Sequence, residues 1–496
     1  MSQTQKRAWA PHEAASNLWR VAVPQAMARW FGSALMLASL WIAGARPALA
    51  AEPPNIVFML SDDQGWSGLS VAMHPDVPGS RGEVFHTPAL EKLAAQGMRF
   101  SAAYAPAPVC SPTRASLLTG KNPARLHWTK AAPPESGHKL IEPRLNKRIA
   151  ESERTVAECL KQAGYATAHY GKWHLGSGGP GAHGYDEHDG DTGNEQAFKF
   201  KDPNPVDIFG MAERAEAFMK RNADAGKPFF IQLSWNALHA SENARPATLA
   251  KYTGKLGGEN RKRETVAAMT EDLDEGVGRV IDSIDRLGLS GRTCVIYMSD
   301  NGSGGGGRRD ALRGGKGGVW EGGIRVPLIM RGPGIEANSW CHVPVVGYDM
   351  FPTFLEWAGV APADRPTGLE GGSLAALVRS PTTAEVHRPR PELVFHFPHY
   401  QSSEGPQTAI RVGDWKLMHF YEDGRDELYH LGKDLAERRD LAKEQPAELQ
   451  RLRRQLDDYL ALVDAQKPTQ NPDFDPQAPA PTRRRGGQNR KNRKAE

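Results

Sequence analysis

The sequence predicts an α/β protein: a mostly parallel sheet flanked by helices, followed by a smaller C-terminal antiparallel sheet with one helix. Three observations carry this. Short apolar runs at residues 55–60, 166–170, 228–233, 294–298 and 326–330 alternate with segments of helical spacing, the pattern of a parallel sheet covered on both faces. Four of these runs end in polar or charged turns, as where a sheet lines a crevice at its carboxyl edge. After a Pro- and charge-rich stretch at 362–391, residues 392–400, 408–412, 415–420 and 427–431 read as consecutive strands, with a helix over 448–463. The expected organisation is a leader over 1–50, a main domain over 51–385, a smaller unit over 386–466 and a disordered basic tail over 467–496.

The termini account for the charge. Lys6, Arg7, Arg20 and Arg29 precede an apolar run from Trp30 to Ala43, and Ala48-Leu49-Ala50 is a small-x-small cleavage site. These are the features of a signal peptide, so the protein is expected to be exported, periplasmic or secreted; the run is too short to span a bilayer comfortably, and no stable membrane insertion is expected. Residues 1–50 hold five Lys/Arg and one Glu, so their removal cancels the formal net charge of +4. The remainder is neutral, and nothing in it argues for nucleic acid binding. With four cysteines among 496 residues, an exported chain is not a disulfide scaffold. Cys159 in a helical pattern and Cys294 in an apolar strand read as core residues.

Residues 55–60 form a buried strand leading into Ser61-Asp62-Asp63-Gln64-Gly65. Residues 294–298 form another, leading into Ser299-Asp300-Asn301-Gly302. Taken singly, each turn is an Asx turn or an N-cap. Repeated at two strand ends, the Asp/Asn pairs offer hard oxygen ligands for Ca²⁺ or Mg²⁺. Between these points Thr87-Pro88 opens a helix closed by Gly97, Thr155 caps a helix ending at Gly164, and helical spacing marks 211–222 and 264–287. The strand 166–170 runs into Lys172-Trp173-His174. If that strand continues, Lys172 and His174 share a face. The strand 228–233 runs toward His239. Alone, each of these residues is a solvated Lys or a hydrogen-bonded His; four strands ending in candidate ligands or acids suggest a shared site.

Residues 110–120 read Cys-Ser-Pro-Thr-Arg-Ala-Ser-Leu-Leu-Thr-Gly. Ser111 is a suitable N-cap and Pro112 a suitable first helical residue, with Gly120 as the stop. Cys110 then precedes a helix N-terminus, which favours an anion, with Arg114 one turn on. Alone, these two residues read as a small buried Cys beside a surface Arg. The segment 300–327 is glycine-dense but interleaved with Arg308, Arg309, Arg313, Lys316, Trp320, Glu321 and Arg325, unlike a Gly/Ser spacer. It lacks the Gly-Lys-Ser/Thr of a P-loop.

Together these strings resemble the type I sulfatases of the alkaline phosphatase superfamily. Cys110-Ser-Pro-Thr-Arg114 is similar to the family's Cys-x-Pro-x-Arg signature, and Lys316 through Pro327 to its Gly-x-Lys-x-x-x-x-Glu-Gly-Gly-x-Arg-Val-Pro segment. The resemblance spans residues 54–463. It implies a sulfate ester hydrolase whose Cys110 is oxidised to formylglycine by a formylglycine-generating enzyme, and whose hydrated aldehyde is the nucleophile. It further implies Ca²⁺ (or Mg²⁺) held by Asp62, Asp63, Asp300, Asn301 and the modified side chain at 110. By the same resemblance Lys172, His239 and Lys316 hold sulfate, His174 acts as a base, and Arg114 and Asp300 serve the nucleophile. Where many relatives carry a Pro beside the later His, this chain has Ala-Leu-His239-Ala. Arg309, His396 and His399 are read as contacts to a polar, sulfated small molecule or glycan; the two histidines read equally well as strand residues. Two rival readings stay open: a phosphoester hydrolase of the same superfamily, and a non-catalytic binder of sulfated glycans.

Overall fold

The computed structural model describes residues 52–239, 243–255, 261–303 and 311–478. The leader, Arg308 and Arg309, and the basic run near the C-terminus lie outside the described residues. The expectation of disorder from residue 467 needs correction: Thr469–Gln470 pairs antiparallel with Leu140–Ile141, and Asn471 Nδ2 donates to the His138 carbonyl at 2.8 Å.

The central sheet has eight strands in the order Ser339–Cys341, Met98–Phe100, Leu328–Arg331, Thr293–Ser299, Asn55–Ser61, Phe229–Ser234, Ala166–Gly171, Glu187–His188. Every pairing is parallel except those of Leu328–Arg331, which runs against both neighbours. The strand Asn55–Ser61 is buried along its whole length because both faces are covered. Val57 and Met59 point into a core shared with the helices Ile208–Asp224 and Arg261–Arg286. Ile56, Phe58 and Leu60 point the other way, into a core shared with the helices Cys110–Thr119, Val156–Gln162 and Met350–Trp357. Each such side chain contributes about 1.5–3 kcal/mol by leaving water.

A second sheet, Leu393–Phe397, Gln407–Val412, Trp415–Phe420 and Asp426–His430, is antiparallel throughout. Its outer face is covered by the helix Pro446–Leu462 through Leu452, Leu456, Tyr459 and Leu460. Its inner face, with Phe395, Phe397, Met418 and Phe420, packs on Val319, Trp320 and Ile324 of the glycine-dense segment. Residues 319–324 are therefore packed against the inner face of this sheet.

One helix start differs from expectation. Ser111 does not cap its helix: Cys110 is already the first helical residue, Val109 holds the extended cap position, and the Ser111 hydroxyl donates to the His174 carbonyl at 3.0 Å. The helix Pro88–Ala95 opens at Thr87-Pro88 as expected, without a capping bond from the Thr87 side chain. The carboxylate of Asp274 instead accepts from Ala89 N (2.8 Å) and Leu90 N (2.9 Å), satisfying donors that Thr87 leaves open. Thr155 and Glu158 do form the reciprocal capping box. All four cysteines are free and buried.

Candidate active site

Three adjacent parallel strands, Thr293–Ser299, Asn55–Ser61 and Phe229–Ser234, with Ala166–Gly171 beyond them, end at the same edge. The residues that follow them converge there with the start of the helix Cys110–Thr119. The Asp300 amide donates to the Ser61 carbonyl (3.0 Å) and the Asp62 amide to the Ala237 carbonyl (2.8 Å), so the turns after three strands are stitched together by backbone. Lys172 N donates to Ser234 O at 2.7 Å, tying in the fourth.

Arg114 is the hub. It is 3% exposed; Nε and Nη2 donate to Asp300 Oδ2 (3.1 and 2.8 Å), and Nη1 donates to the Lys172 carbonyl (2.6 Å). Nη2 also lies 3.5 Å from Asp62 Oδ2. The Lys172 ammonium is fully buried against Asp62. The Lys316 ammonium lies 2.6 and 2.8 Å from the two Asp63 oxygens, and Asn301 Nδ2 donates to Asp63 Oδ1 at 2.8 Å. His174 places Nδ1 3.4 Å from Cys110 Sγ. His239 brings a ring nitrogen within 4.8 Å of ligand oxygens of Asp62 and Asp63. The structure thus gathers Asp62, Asp63, Cys110, Arg114, Lys172, His174, His239, Asp300, Asn301 and Lys316 around one point.

Three carboxylates, Asp62, Asp63 and Asp300, face three fixed cations, Arg114, Lys172 and Lys316. Burial works against the Asp62 charge, but Lys172, His239, Arg114 and Lys316 together hold its carboxyl well below the usual range. Burial and the adjoining Asp62 push Asp300 up to about 8, with Arg114 opposing. Burial, aided by Lys172 and Arg114, draws His174 down to about 3; burial draws His239 down to about 4. Both rings are neutral at pH 7, and the His174 ring faces the side chain at 110. Burial disfavours the Lys316 charge, yet Asp63 beside it keeps the ammonium protonated beyond the usual lysine range.

The residues fit a hard divalent cation. Asp62 Oδ1 and Asn301 Oδ1 are buried oxygens without a hydrogen-bond donor, a costly state for a neutral or charged acceptor and the ordinary state of a cation ligand. The donor set is oxygen-rich, which suits Ca²⁺ or Mg²⁺ over a thiophilic metal.

Two expectations need correction. His396 and His399 do not line this site. His396 bonds Thr408 Oγ1 (2.7 Å) and the Gln466 carbonyl (2.9 Å); His399 bonds Thr129 Oγ1 (2.7 Å) and Glu142 (2.8 Å). Both rings are buried with both nitrogens engaged, which leaves no atom to touch a substrate. Arg309 lies outside the described residues. Arg313, from the same glycine-dense segment, stacks 3.5 Å over Trp320 and bonds Tyr429 and the Glu437 carbonyl. Conversely, Thr192 escaped sequence reading. Its carbonyl accepts from His174 N (2.7 Å) and its hydroxyl from Trp173 N (2.9 Å), fixing the turn that aims His174; no local pattern marks it.

Comparison with known proteins gives a consistent picture. The family model described as Sulfatase matches residues 54–360, and that described as N-sulphoglucosamine sulphohydrolase, C-terminal, matches residues 315–466. The chain is 30% identical over 430 residues to arylsulfatase A of Homo sapiens, covering 78% of each protein. It is 32% identical over 385 residues to N-acetylgalactosamine-6-sulfatase of Rattus norvegicus, covering 68% of this chain and 70% of that one. Among solved structures, Ps i-CgsB shares the fold with a TM-score of 0.67 at 24% identity, over 82% of this chain and 93% of that chain. Among the described residues no helix is long and apolar enough to cross a membrane.

Proposed function

Because the chain belongs to the sulfatase family and is a sulfuric ester hydrolase, we propose that it releases inorganic sulfate from a sulfated carbohydrate, using residue 110 in its formylglycine form together with Ca²⁺, or Mg²⁺. The observation that supports this most is the meeting of Cys110, His174, two lysines and two donorless oxygens around one buried arginine.

Asp62, Asp63, Asp300 and Asn301 would hold the cation, which supplies Lewis-acid polarisation of a sulfate oxygen and of the side chain at 110. Oxidised by a formylglycine-generating enzyme and hydrated, residue 110 offers two hydroxyls, one to attack sulfur and one to expel sulfate afterwards. Cys110 Sγ stands where one of those hydroxyls would lie. Asp300 is placed to take the attacking hydroxyl's proton, and Arg114 stabilises the negative charge that results. Lys172 and Lys316 turn from Asp62 and Asp63 to the sulfate oxygens. Lys316, which holds its proton at pH 7, or His239 once the bound ester's charge has protonated it, protonates the leaving alcohol. His174, neutral and 3.4 Å from Sγ, takes the proton of the second hydroxyl as sulfate departs.

The charges suit the reaction. A divalent ion beside Asp300 would oppose the burial and the Asp62 charge that raise it, so that three carboxylates balance three side-chain cations and the ion leaves two positive charges to meet a monoanionic ester and the charge growing on it. The sugar assignment is supported by the relative named for N-acetylgalactosamine 6-sulfate chemistry and by the C-terminal match to an N-sulphoglucosamine sulphohydrolase. Export through a signal peptide over 1–50, and the start of a smaller unit near residue 386, belong to the same proposal.

The test is sulfate release from an aryl sulfate and from sulfated mono- and oligosaccharides by wild type and Cys110→Ala. Hydrolysis lost in the variant supports the reading. Retained hydrolysis, or a kcat/KM higher for matched phosphate esters, overturns it.

A further inference from the structure

The glycine-dense segment has two faces, and only one belongs to the reaction. On the site side, Lys316 N donates to Ser303 O (2.9 Å), Gly317 N to Pro108 O (2.9 Å) and Gly302 N to Gly323 O (2.9 Å). Gly302 touches the turn Glu321–Ile324 so closely that a Cβ on it would lie 1.9 Å from the Gly322 carbonyl oxygen. The turn thus clasps the backbone at Gly302, directly after Asn301 with its donorless Oδ1.

On the far side the turn is held by charges the reaction does not use. Glu321 is fully buried. Its Oε1 accepts from Lys416 Nζ (3.0 Å), and its Oε2 from Tyr104 OH (2.7 Å) and Arg325 Nε (2.7 Å). Its amide donates to Glu437 Oε2 at 2.7 Å, and Lys416 also lies 2.7 Å from Glu437 Oε1. Lys416 stands on the strand Trp415–Phe420 of the C-terminal sheet. Nearby, Val319 N donates to Gln407 Oε1 of the neighbouring strand at 3.2 Å. A buried ionic cluster gives little net stability against apolar residues of the same volume, but Glu321 has both of its carboxylate oxygens hydrogen-bonded, which fixes its geometry.

We propose that Glu321, clamped by Lys416, is a positioning residue: it fixes the turn that clasps Asn301 and anchors the loop bearing Lys316, so that the C-terminal sheet is part of the frame of the cation and sulfate site. This rests on the reading of Asn301 as a cation ligand. The charge of Lys416 is the tie, because its ammonium reaches the carboxylates of both Glu321 and Glu437 and so joins the strand Trp415–Phe420 to the turn.

The experiment uses the full chain, stripped with chelator and titrated with Ca²⁺ by calorimetry, with melting temperature and aryl-sulfate kinetics alongside. The variants are Lys416→Met, Lys416→Arg and the near-isosteric Glu321→Gln. Arg388→Met is the control, breaking a buried pair with Asp349 at the helix Met350–Trp357. Loss of an outer partner of a ligand weakens metal binding about 10–100-fold. Lys416→Met and Glu321→Gln should weaken Ca²⁺ by about tenfold or more and lower kcat; Lys416→Arg should recover most of the loss. Arg388→Met should lower the melting temperature with Ca²⁺ affinity unchanged. If Glu321→Gln binds Ca²⁺ like wild type, or Arg388→Met weakens it equally, the positioning role is wrong. Absence of Ca²⁺ binding by wild type overturns the cation reading itself, and the positioning role with it.

Discussion

Arg114→Met is the perturbation whose size follows most directly from the structure. The guanidinium is buried, forks onto Asp300 Oδ2 at 3.1 and 2.8 Å, lies 3.5 Å from Asp62, and donates to the Lys172 carbonyl at 2.6 Å. Methionine fills similar space but leaves two carboxylates facing each other with one counter-charge fewer. Removing one partner of a buried ion pair costs about 3–5 kcal/mol. At roughly 2 °C per kcal/mol for a large domain, melting should fall by roughly 6–10 °C in the stripped protein. Because a divalent cation would neutralise the same carboxylates, saturating Ca²⁺ should close part of that gap. Arg114→Lys keeps the charge without the fork and should lose less. Scanning calorimetry with and without Ca²⁺ reads all three. An Arg114→Met protein that melts with wild type in chelator would refute the charge balance on which the site description stands.

Other consequences are equally open to measurement. Chelation should abolish sulfate release and lower the melting temperature, with restoration by Ca²⁺ worth about 2.7 kcal/mol at a hundred times its Kd; unchanged activity after exhaustive chelation would count against an oxygen-ligated cation. His399→Gln should cost about 1–3 kcal/mol by breaking the bonds to Thr129 and Glu142, with KM for substrate unchanged; a selective rise in KM would restore His399 as a contact. Asp274, capping the helix Pro88–Ala95, is pushed by burial from 3.8 up to about 7. The folded state therefore holds this proton more tightly than the unfolded chain between those values. Stability falls as pH rises through that window and levels above it, and Asp274→Asn should flatten the slope of melting temperature against pH. An unaltered slope would mean that Asp274 titrates normally.

Much of the site was legible because its residues sit at strand ends, where sequence pattern and chemistry coincide. Asp62, Asp63, Asp300 and Asn301 follow apolar runs directly, and Cys110 and Arg114 share one helical turn. Lys172 and His174 reach the site for a reason other than strand alternation. The strand stops at Gly171, where φ is +91° and a Cβ would lie 2.3 Å from the Ser234 carbonyl. His174 then turns back with φ of 60°, held by Thr192. Ser111 has the chemistry of a cap, but its hydroxyl is drawn to the His174 carbonyl, 63 residues away in the chain. His396 and His399 had the chemistry of ligands, yet their partners include Gln466, Thr129 and Glu142, the last two more than 250 residues earlier. Tertiary partners at such separations leave no periodicity in the sequence, and the Glu321–Lys416 clamp was hidden for the same reason.

The central claim concerns the side chain at residue 110, and one measurement addresses it directly. The peptide spanning residue 110, taken from protein matured with a formylglycine-generating enzyme and active on an aryl sulfate, should show the mass of an aldehyde in place of a thiol and should react with hydrazines. An active preparation in which that peptide carries only the thiol would contradict the account.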